Sequence, residues 1–504
     1  MSLVTSQIAQ NQPPHTIIIG GGITGLSAAY ALEQAGLRYT LIERDTRLGG
    51  KIRSDVFDHD GGRFVVEAGP DSLLTQKPWA VELAHELGLA PRMIGSNQRR
   101  KTVYVYSRGR IEPMPEGMML AVPLKLGPFV RSRLLSPLGR LRVLLDMVLP
   151  ARRDGADESL GSFIRRRMGQ EALDRIAEPL MSGIHNAECE QQSLLATFPR
   201  FHAVERQHGS LIRHLRAEQR RVVKPSVPSS PFISFKHGLQ ELVDTLATQL
   251  TGQIVTNTGV AAITSNKRGG YQIELDSGDV LHADNIIITT AAPVAAGLLD
   301  TLAPTLATAL RGIRYVSTAT VSLAYRVVDV HVPIDGSGML VPRVEGRQIN
   351  ALTVTSTKWA ERAPDDAVLL RAFVGGSHNP GILELDDTAL VETVRAELSA
   401  LLGITAEPLF SRVYRWNNAN PQYDVGHLER VAAMEQLCPE GITLAGCAYR
   451  GVGIPDCIRQ GQEAAAQVID ESRRAKLLIP SPQPSPTHGR GLGCGCRSGS
   501  MSLL

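Results

Sequence analysis

The chain has 504 residues, of which 43% are hydrophobic and 20% charged. That is about three domains' worth at roughly 150 residues each, with enough apolar content for a large core. Disorder throughout, collagen and coiled-coil architectures are excluded. With 53 basic against 50 acidic residues and 5% aromatics, neither phosphate neutralisation nor base stacking is advertised, so nucleic acid is set aside as a partner.

Six cysteines (Cys189, Cys438, Cys447, Cys457, Cys494 and Cys496) form no CxxC pair and no regular framework. A reducing compartment is expected. The opening MSLVTSQIAQNQPPHT has neither a basic n-region before an apolar h-region nor an Arg-rich transit pattern, so a cytoplasmic protein with a frayed start is expected. The uncharged stretch from Ile17 to Leu32 is shorter than the roughly 20 residues of a membrane span and is broken by the triplet Gly20 to Gly22.

In chain order, HTIIIG predicts a short buried strand, Gly20, Gly21 and Gly22 a turn, and ITGLSAAYALEQA a helix. Gly36 stands where a C-cap belongs, and RYTLIE predicts a second strand ending in Glu43. Strand, glycine turn, helix, strand and acid fall within about 30 residues, which is one βαβ unit. Lys77 to Arg221 is predicted to be mostly helical, with arginines at 131, 133, 140, 142, 152, 153 and 165 to 167. VVKPSVPSSP reads as a connection back to another layer. A helix over Leu239 to Leu250 leads into short strands with turns at KRGG and DSGD, and IIITT, Ile286 to Thr290, is another buried strand. Residues 310–430 mix strands and helices. GITLAG at 441–446, a loop and a helix from Ile458 to Ser472 close the ordered chain. Beyond Leu478 the Pro-, Ser- and Gly-rich text is expected to be a disordered tail, in which the CxC of Cys494 and Cys496 reads as a solvated appendage rather than a metal site.

The chemistry is carried by Gly20-x-Gly22-x-x-Gly25. The first glycine permits the tight turn, the second lets backbone approach a pyrophosphate, and the third lets helix pack on strand. Glu43, 18 residues after Gly25, is placed for a ribose hydroxyl. RLGGKIRS at 47–54 adds a second glycine pair and a basic cluster where another phosphate contact could form. No second strand-GxGxxG-helix occurs downstream, which favours FAD reoxidised by oxygen or another small acceptor over an NAD(P)H-dependent reductase. In GCAYRGVGIPDCIRQGQEAA, amides around Gly453 and Ile454 could meet a flavin's pyrimidine edge at a helix N-terminus. The plainer alternative is a helix cap built on Pro455 and Asp456.

GGGITGLSAAYALEQAG, RLGGKIRS, FVVEAGPDSLL, EPMPEG, LMSGIHNAE, TFPRF, RWNNANPQYDVGH and AYRGVGIPDCIRQG, in that order, closely resemble the flavin-dependent porphyrinogen oxidases of heme synthesis. The likeness runs from about His15 to Ser472 and is nearest to the soluble bacterial branch that acts on coproporphyrinogen III. It implies an α/β fold of the flavin amine oxidase type. A discontinuous Rossmann-type FAD-binding domain would be made of 1–76, 225–300 and 431–476, with a largely helical insertion at 77–224, a mixed-sheet substrate domain at 301–430 and the tail at 477–504. It implies oxidation of coproporphyrinogen III to coproporphyrin III with FAD and molecular oxygen, releasing hydrogen peroxide, or alternatively of protoporphyrinogen IX to protoporphyrin IX. A transient ferrochelatase contact would follow. Other enzymes of the amine oxidase or desaturase type, and a non-catalytic FAD-binding scaffold, are the competing functions.

Residue by residue, the resemblance places Gly20, Gly22, Ile23, Thr24 and Gly25 at the pyrophosphate, Glu43 at the ribose and Gly49, Gly50 and Lys51 beside it. It places Ala68, Gly69 and Pro70 near the isoalloxazine, Val260 on the adenine side, Trp416 as a wall of the flavin, and Gly453, Ile454 and Pro455 at the far ring edge. Lys77 matches a basic position facing substrate propionates; its other reading is a solvated surface lysine. Ala68 and Gln76 stand where relatives often carry basic residues, which leaves the number of substrate carboxylates open. No nucleophile, catalytic base or metal is assigned. His185, His202, His208 and His214 lack the carboxylate company of a metal site and are expected in polar or packing roles. Leu134, Leu135, Leu138, Leu141, Leu144, Leu145 and Leu149, interleaved with the arginine stripe, read either as an amphipathic surface for a membrane or acidic partner or as a core-facing helix with a solvated basic back. The core-facing arrangement is expected, with peripheral membrane contact as the alternative.

Overall fold

The computed structural model describes residues 14–152, 155–185, 187–221, 230–267, 269–330 and 335–478. The calls on the tail from 479 onward and on its two cysteines lie outside them, as does most of VVKPSVPSSP.

Strand β1 (Thr16–Ile19), helix α1 (Ile23–Gln34) and strand β2 (Tyr39–Ile42) form the opening βαβ unit. The strands are short apolar runs buried on both faces, as a parallel sheet covered by helices requires. Gly36, at φ +67°, ends α1 in the left-handed conformation. Strands β3 (Gln253–Val255), β4 (Asn285–Ile288) and β5 (Ile442–Leu444) complete a parallel sheet in the order β3-β2-β1-β4-β5. Start, middle and end of the chain therefore meet in one sheet. Side-chain alternation splits its two faces: Ile18, Leu41 and Ile287 enter the core beneath α1, and Ile17, Ile19, Ile286 and Ile288 enter the opposite core with Ile263, Ile273 and Ala295.

Helix α2 (Ile454–Leu478) lies across α1. It starts four residues before the expected Ile458, because Pro455 needs no partner for a backbone N–H in a first helical turn and Asp456 follows it there. The two helices approach so closely that a Cβ on Gly461 would lie 2.3 Å from the Thr24 carbonyl oxygen.

A second sheet of seven strands runs in the order Phe410–Pro421, Tyr315–Arg326, Ala367–Gly375, Ala351–Val354, Gly338–Leu340, Val103–Ser107, Arg110–Pro113. All neighbours are antiparallel except Gly338–Leu340 with Val103–Ser107. One face packs on helix Asp387–Leu402, and the other on the helices from residue 126 to 221. The largely helical insertion expected from Lys77 onward is thus corrected in its first part. The run VYVYS alternates β-branched and aromatic residues, and with Arg110–Pro113 it forms a hairpin added to the second sheet. Met93–Gly95 and Leu73–Leu74 both pair with Phe232–Phe235.

One further expectation in the helical region is corrected in part. The leucine stripe at helix Pro137–Leu144 turns only partly inward: Leu134, Leu135 and Val143 are buried and Leu144 packs against the same core, but Leu138, Leu141 and Leu145 are exposed. Nearby, Arg167 of the helix Leu160–Met168 is fully buried, its Nε donating to Asp146 Oδ1 at 2.7 Å, while Ser210 Oγ and the Ile212 amide each donate to Asp146 Oδ2 at 2.9 Å.

Gly461→Leu is expected to force α1 and α2 apart, costing on the order of 1–3 kcal/mol and lowering the thermal midpoint. An unchanged midpoint would show that the crossing is not close-packed.

Candidate dinucleotide and substrate site

The site is assembled at the carboxyl ends of β1, β2 and β4, where an open parallel sheet with helices on its faces places a ligand. Gly20, at φ +109°, turns the chain out of β1. Gly22 is the N-cap of α1, with no side-chain cap and no acid in the first turn, so the amide end of the helix presents positive potential to whatever lies before it. A Cβ on Gly25 would sit 2.0 Å from the Gly20 carbonyl oxygen, whereas one on Gly22 would meet nothing within 4 Å. Turn, close packing and open approach therefore fall on the three glycines that sequence spacing assigns to them.

Glu43, at the end of β2, is held rather than loose: Oε2 accepts from the Gly21 amide at 2.6 Å and Oε1 from the Asp45 amide at 2.8 Å. The second glycine pair lies against the first. Gly49 bridges to Gly22, its amide donating to the Gly21 carbonyl at 2.8 Å, and a Cβ on Gly50 would come within 3.3 Å of Gly22 Cα. Arg47, in the cluster marked for a phosphate contact, turns onto its own loop: Nη1 donates to the carbonyls of Leu48 at 3.2 Å and Ile52 at 3.0 Å, and Nη2 donates to Gly50. Lys51 Nζ donates to the Ala419 carbonyl and lies 3.3 Å from Cys447 Sγ.

The segment Ala68–Gly69–Pro70 sits beside this cradle. Gly69 is required because a Cβ there would meet the Lys51 carbonyl oxygen at 2.1 Å. Trp416 Nε1 donates to the Ala68 carbonyl at 2.9 Å, so Trp416 borders the segment. Trp416 and Tyr414 also line a cleft of ≈ 510 Å³ with Arg44, Arg47, Arg53 and Arg415. Gly453, Ile454 and Pro455 form the start of α2. Lys77 Nζ is paired with both carboxylate oxygens of Asp456 there, at 2.8 and 2.5 Å. Val260 begins the strand Val260–Ser265, whose sheet supports the face of β4 away from α1.

A set of buried charges around Ala68 was missed from sequence. The fully buried Arg371 donates from Nη2 to the Ala68 carbonyl at 3.2 Å and to the Gly69 carbonyl. Lys358 Nζ reaches Asp71 Oδ2 at 2.7 Å. Glu67 accepts from Ser54 Oγ at 2.6 Å and the Leu239 amide at 2.9 Å, with Arg362 at 3.7 Å. Burial pushes the Glu67 carboxyl up to about 7 against the pull of Arg362 and Ser54. Burial also raises Asp71, but Lys358 and Arg371 more than reverse it and hold it well below the ordinary carboxylate range. The available signal was a lone arginine in the apolar run AVLLRAFVG; its partners are more than 300 residues away in sequence.

The glycine cradle, uncapped helix end and held acid define a dinucleotide-binding oxidoreductase site. The chain belongs to the family of flavin containing amine oxidoreductases, whose model matches residues 23–469. Within it, the chain is similar to porphyrinogen oxidases. The chain is 35% identical to a coproporphyrinogen III oxidase of Bacillus subtilis, over 90% of this chain and 98% of that protein. It is 34% identical to that of Staphylococcus aureus with the same coverage, and 29% identical to a chloroplastic protoporphyrinogen oxidase of Nicotiana tabacum over 90% and 85%. A crystal structure assigned as a protoporphyrinogen oxidase from Exiguobacterium sp. 255-15 superposes with a TM-score of 0.81 at 32% identity, covering 91% and 99%. Putrescine oxidase, at 20% identity and a TM-score of 0.66, shares the fold. FAD is the cofactor of this fold, and the residues present fit it: Gly22 leaves the room a pyrophosphate needs, and the α1 amides face that room unblocked by a side chain.

Because a side chain at Gly22 meets only open space in the protein itself, Gly22→Val should leave the thermal midpoint of the FAD-free chain unchanged while abolishing FAD retention. A variant that purifies yellow would remove this assignment. For Glu67, a folded value near 7 against 4.5 unfolded means that only the folded chain holds the proton between those values. Its contribution to stability therefore falls as pH rises through that window. The fall in thermal midpoint from pH 5 to pH 8 should accordingly be smaller in Glu67→Gln than in the parent, and parallel profiles would contradict the assigned shift.

Proposed function

We propose that the protein oxidises coproporphyrinogen III to coproporphyrin III with FAD, passing electron pairs to molecular oxygen and releasing hydrogen peroxide at each round. The supporting observation is the coincidence of near-full-length likeness to coproporphyrinogen III oxidases with a glycine cradle that opens toward the Ala68–Gly69–Pro70 segment. Bound FAD supplies a two-electron acceptor for a bridging methylene of the macrocycle, with aromatisation as the driving force.

The task of the chain is then orientation. Gly20 to Gly25 and Glu43 fix the dinucleotide end, and Gly49, Gly50 and Lys51 fix the turn beside it. Trp416 and Ala68 to Pro70 border the ring, Val260 supports the adenine side, and Gly453, Ile454 and Pro455 close the far edge. Lys77, just before the helix Trp79–Glu86, brings one ammonium to the start of α2. Asp456 holds it in place, and its half-exposed side chain leaves donors for a substrate propionate. No side chain is assigned as nucleophile or base.

Aerobic turnover of coproporphyrinogen III and protoporphyrinogen IX, followed side by side by porphyrin fluorescence and peroxide, tests this. Faster turnover of the tetrapropionate is expected. Preference for protoporphyrinogen would replace the substrate, and no turnover of either would overturn the enzyme.

A further inference from the structure

The loop that leads from β5 to the start of α2, residues 446–453, takes its course from side chains outside it. Gly446 and Gly451, at φ +129° and +125°, turn the chain near its two ends, and glycine backbone left to itself is loose. Tyr423, just beyond the strand Phe410–Pro421, spans the loop: its hydroxyl donates to the Cys447 carbonyl at 2.8 Å and accepts from the Gly451 amide at 2.8 Å. The one donor of the phenol and an acceptor site are thus both committed to backbone groups of the same loop. The side chain is buried, and burial raises its pKa well above the ordinary tyrosine value, so the donor is kept.

His427, the first residue of the helix His427–Leu437, backs this clamp. Its ring stacks on that of Tyr423, with centroids 3.8 Å apart and planes 14° from parallel. It is fully buried, and Nε2 donates to the Tyr449 carbonyl at 2.9 Å. Burial lowers its pKa, which leaves a neutral ring with its proton on Nε2. From the glycine turn, Lys51 Nζ reaches the Ala419 carbonyl and lies 3.3 Å from Cys447 Sγ. Residues 447, 449 and 451 are therefore each held by a side chain from another element, and the strand that supplies Trp416 leads directly into Tyr423. None of these contacts is needed to build the parallel sheet or to cross the helices: β5 pairs with β4 through residues 442–444, and α2 meets α1 at Gly461.

We infer, resting on Gly453, Ile454 and Pro455 as the far edge of the ring, that Tyr423, backed by His427, is a positioning residue for the flavin. It holds the 446–453 loop so that the amides of Gly453 and Ile454 meet the pyrimidine edge, and through them it raises the reduction potential of bound FAD. Amides at the start of a helix favour the negative charge which that edge gains on two-electron reduction. Hydrogen bonds weaken steeply with distance and angle, so a loop that shifts gives up part of that effect. The phenol touches no reacting atom and acts through the backbone it holds.

The test is the reduction potential of the full-length FAD-loaded protein, read by dye-equilibrated titration, in Tyr423→Phe, which keeps the stack on His427 and removes only the hydroxyl. The two-electron equilibrium should shift about tenfold toward oxidised FAD, a potential about 30 mV lower. FAD retention, which the glycine cradle sets, should match the parent. Should Tyr423→Phe fail to fold, His427→Phe, which keeps the stack and removes the bond to Tyr449, carries the same expected direction. Tyr271→Phe controls for a merely structural role: its hydroxyl donates to the Glu440 carbonyl before β5, so this variant also loses a buried bond but should keep the parent potential. A parent-like potential in Tyr423→Phe, or an equal drop in Tyr271→Phe, overturns the inference. Ile454→Pro separates the reading beneath it, since proline suits a first helical position and deletes one edge amide. An unchanged potential there removes the edge itself, whereas a drop there with none in Tyr423→Phe removes only the role of Tyr423. No porphyrinogen enters the readout, so failure here leaves the proposed oxidase untouched, and the reverse.

Discussion

The structure depends on backbone-to-backbone contact around the first turn of α1. Gly25 lies against the Gly20 carbonyl, and Gly461 of α2 lies against the Thr24 carbonyl. Each contact excludes even a Cβ. Together they fix α1 between the strand that feeds it and the last long helix, so its amide end points along the sheet edge at a defined place. The held Glu43 and the Gly49–Gly50 turn take their positions from the same point, through the Gly21 amide and carbonyl. A pyrophosphate cradle needs backbone donors at short range, and here that need and the packing need are met by the same absence of side chains.

Around Ala68 the chain does the opposite and concentrates charge. Arg371, Lys358 and Arg362 face Asp71 and Glu67 with little water. Such pairs return little net stability, since desolvation offsets much of the attraction. What they do supply is direction: Arg371 fixes the carbonyls of Ala68 and Gly69, and Lys358 fixes the end of the same segment at Asp71. The Ala68–Asp71 segment is thereby fastened to the second sheet through Arg371.

Much of the first sheet was legible because its signals are local. The glycine spacing, the 18 residues from Gly25 to Glu43 and the apolar runs each identify an element from its own sequence. The hairpin of Val103–Ser107 and Arg110–Pro113 was read as part of a helical insertion, although its alternation was available in VYVYS; what was not available is that it would join strands more than 200 residues later. The buried charges were illegible for the same reason, since Arg371 declares itself only as an oddity in an apolar strand. The leucines of Pro137–Leu144 misled differently. Their spacing is that of a core helix, yet Leu138 and Leu141 face out while Val143 and Leu144 pack inward.

The central sheet takes strands from residues 16–19, 39–42, 253–255, 285–288 and 442–444, and the crossing glycine comes at 461. During synthesis the fingerprint would leave the ribosome first, yet its partners would arrive hundreds of residues later. The cradle is therefore the earliest part of the chain to be made and among the last to be finished. A chain released before residue 461 would carry the complete glycine motif and still lack the surface that shapes it, so cofactor retention serves as a report that synthesis has passed that point.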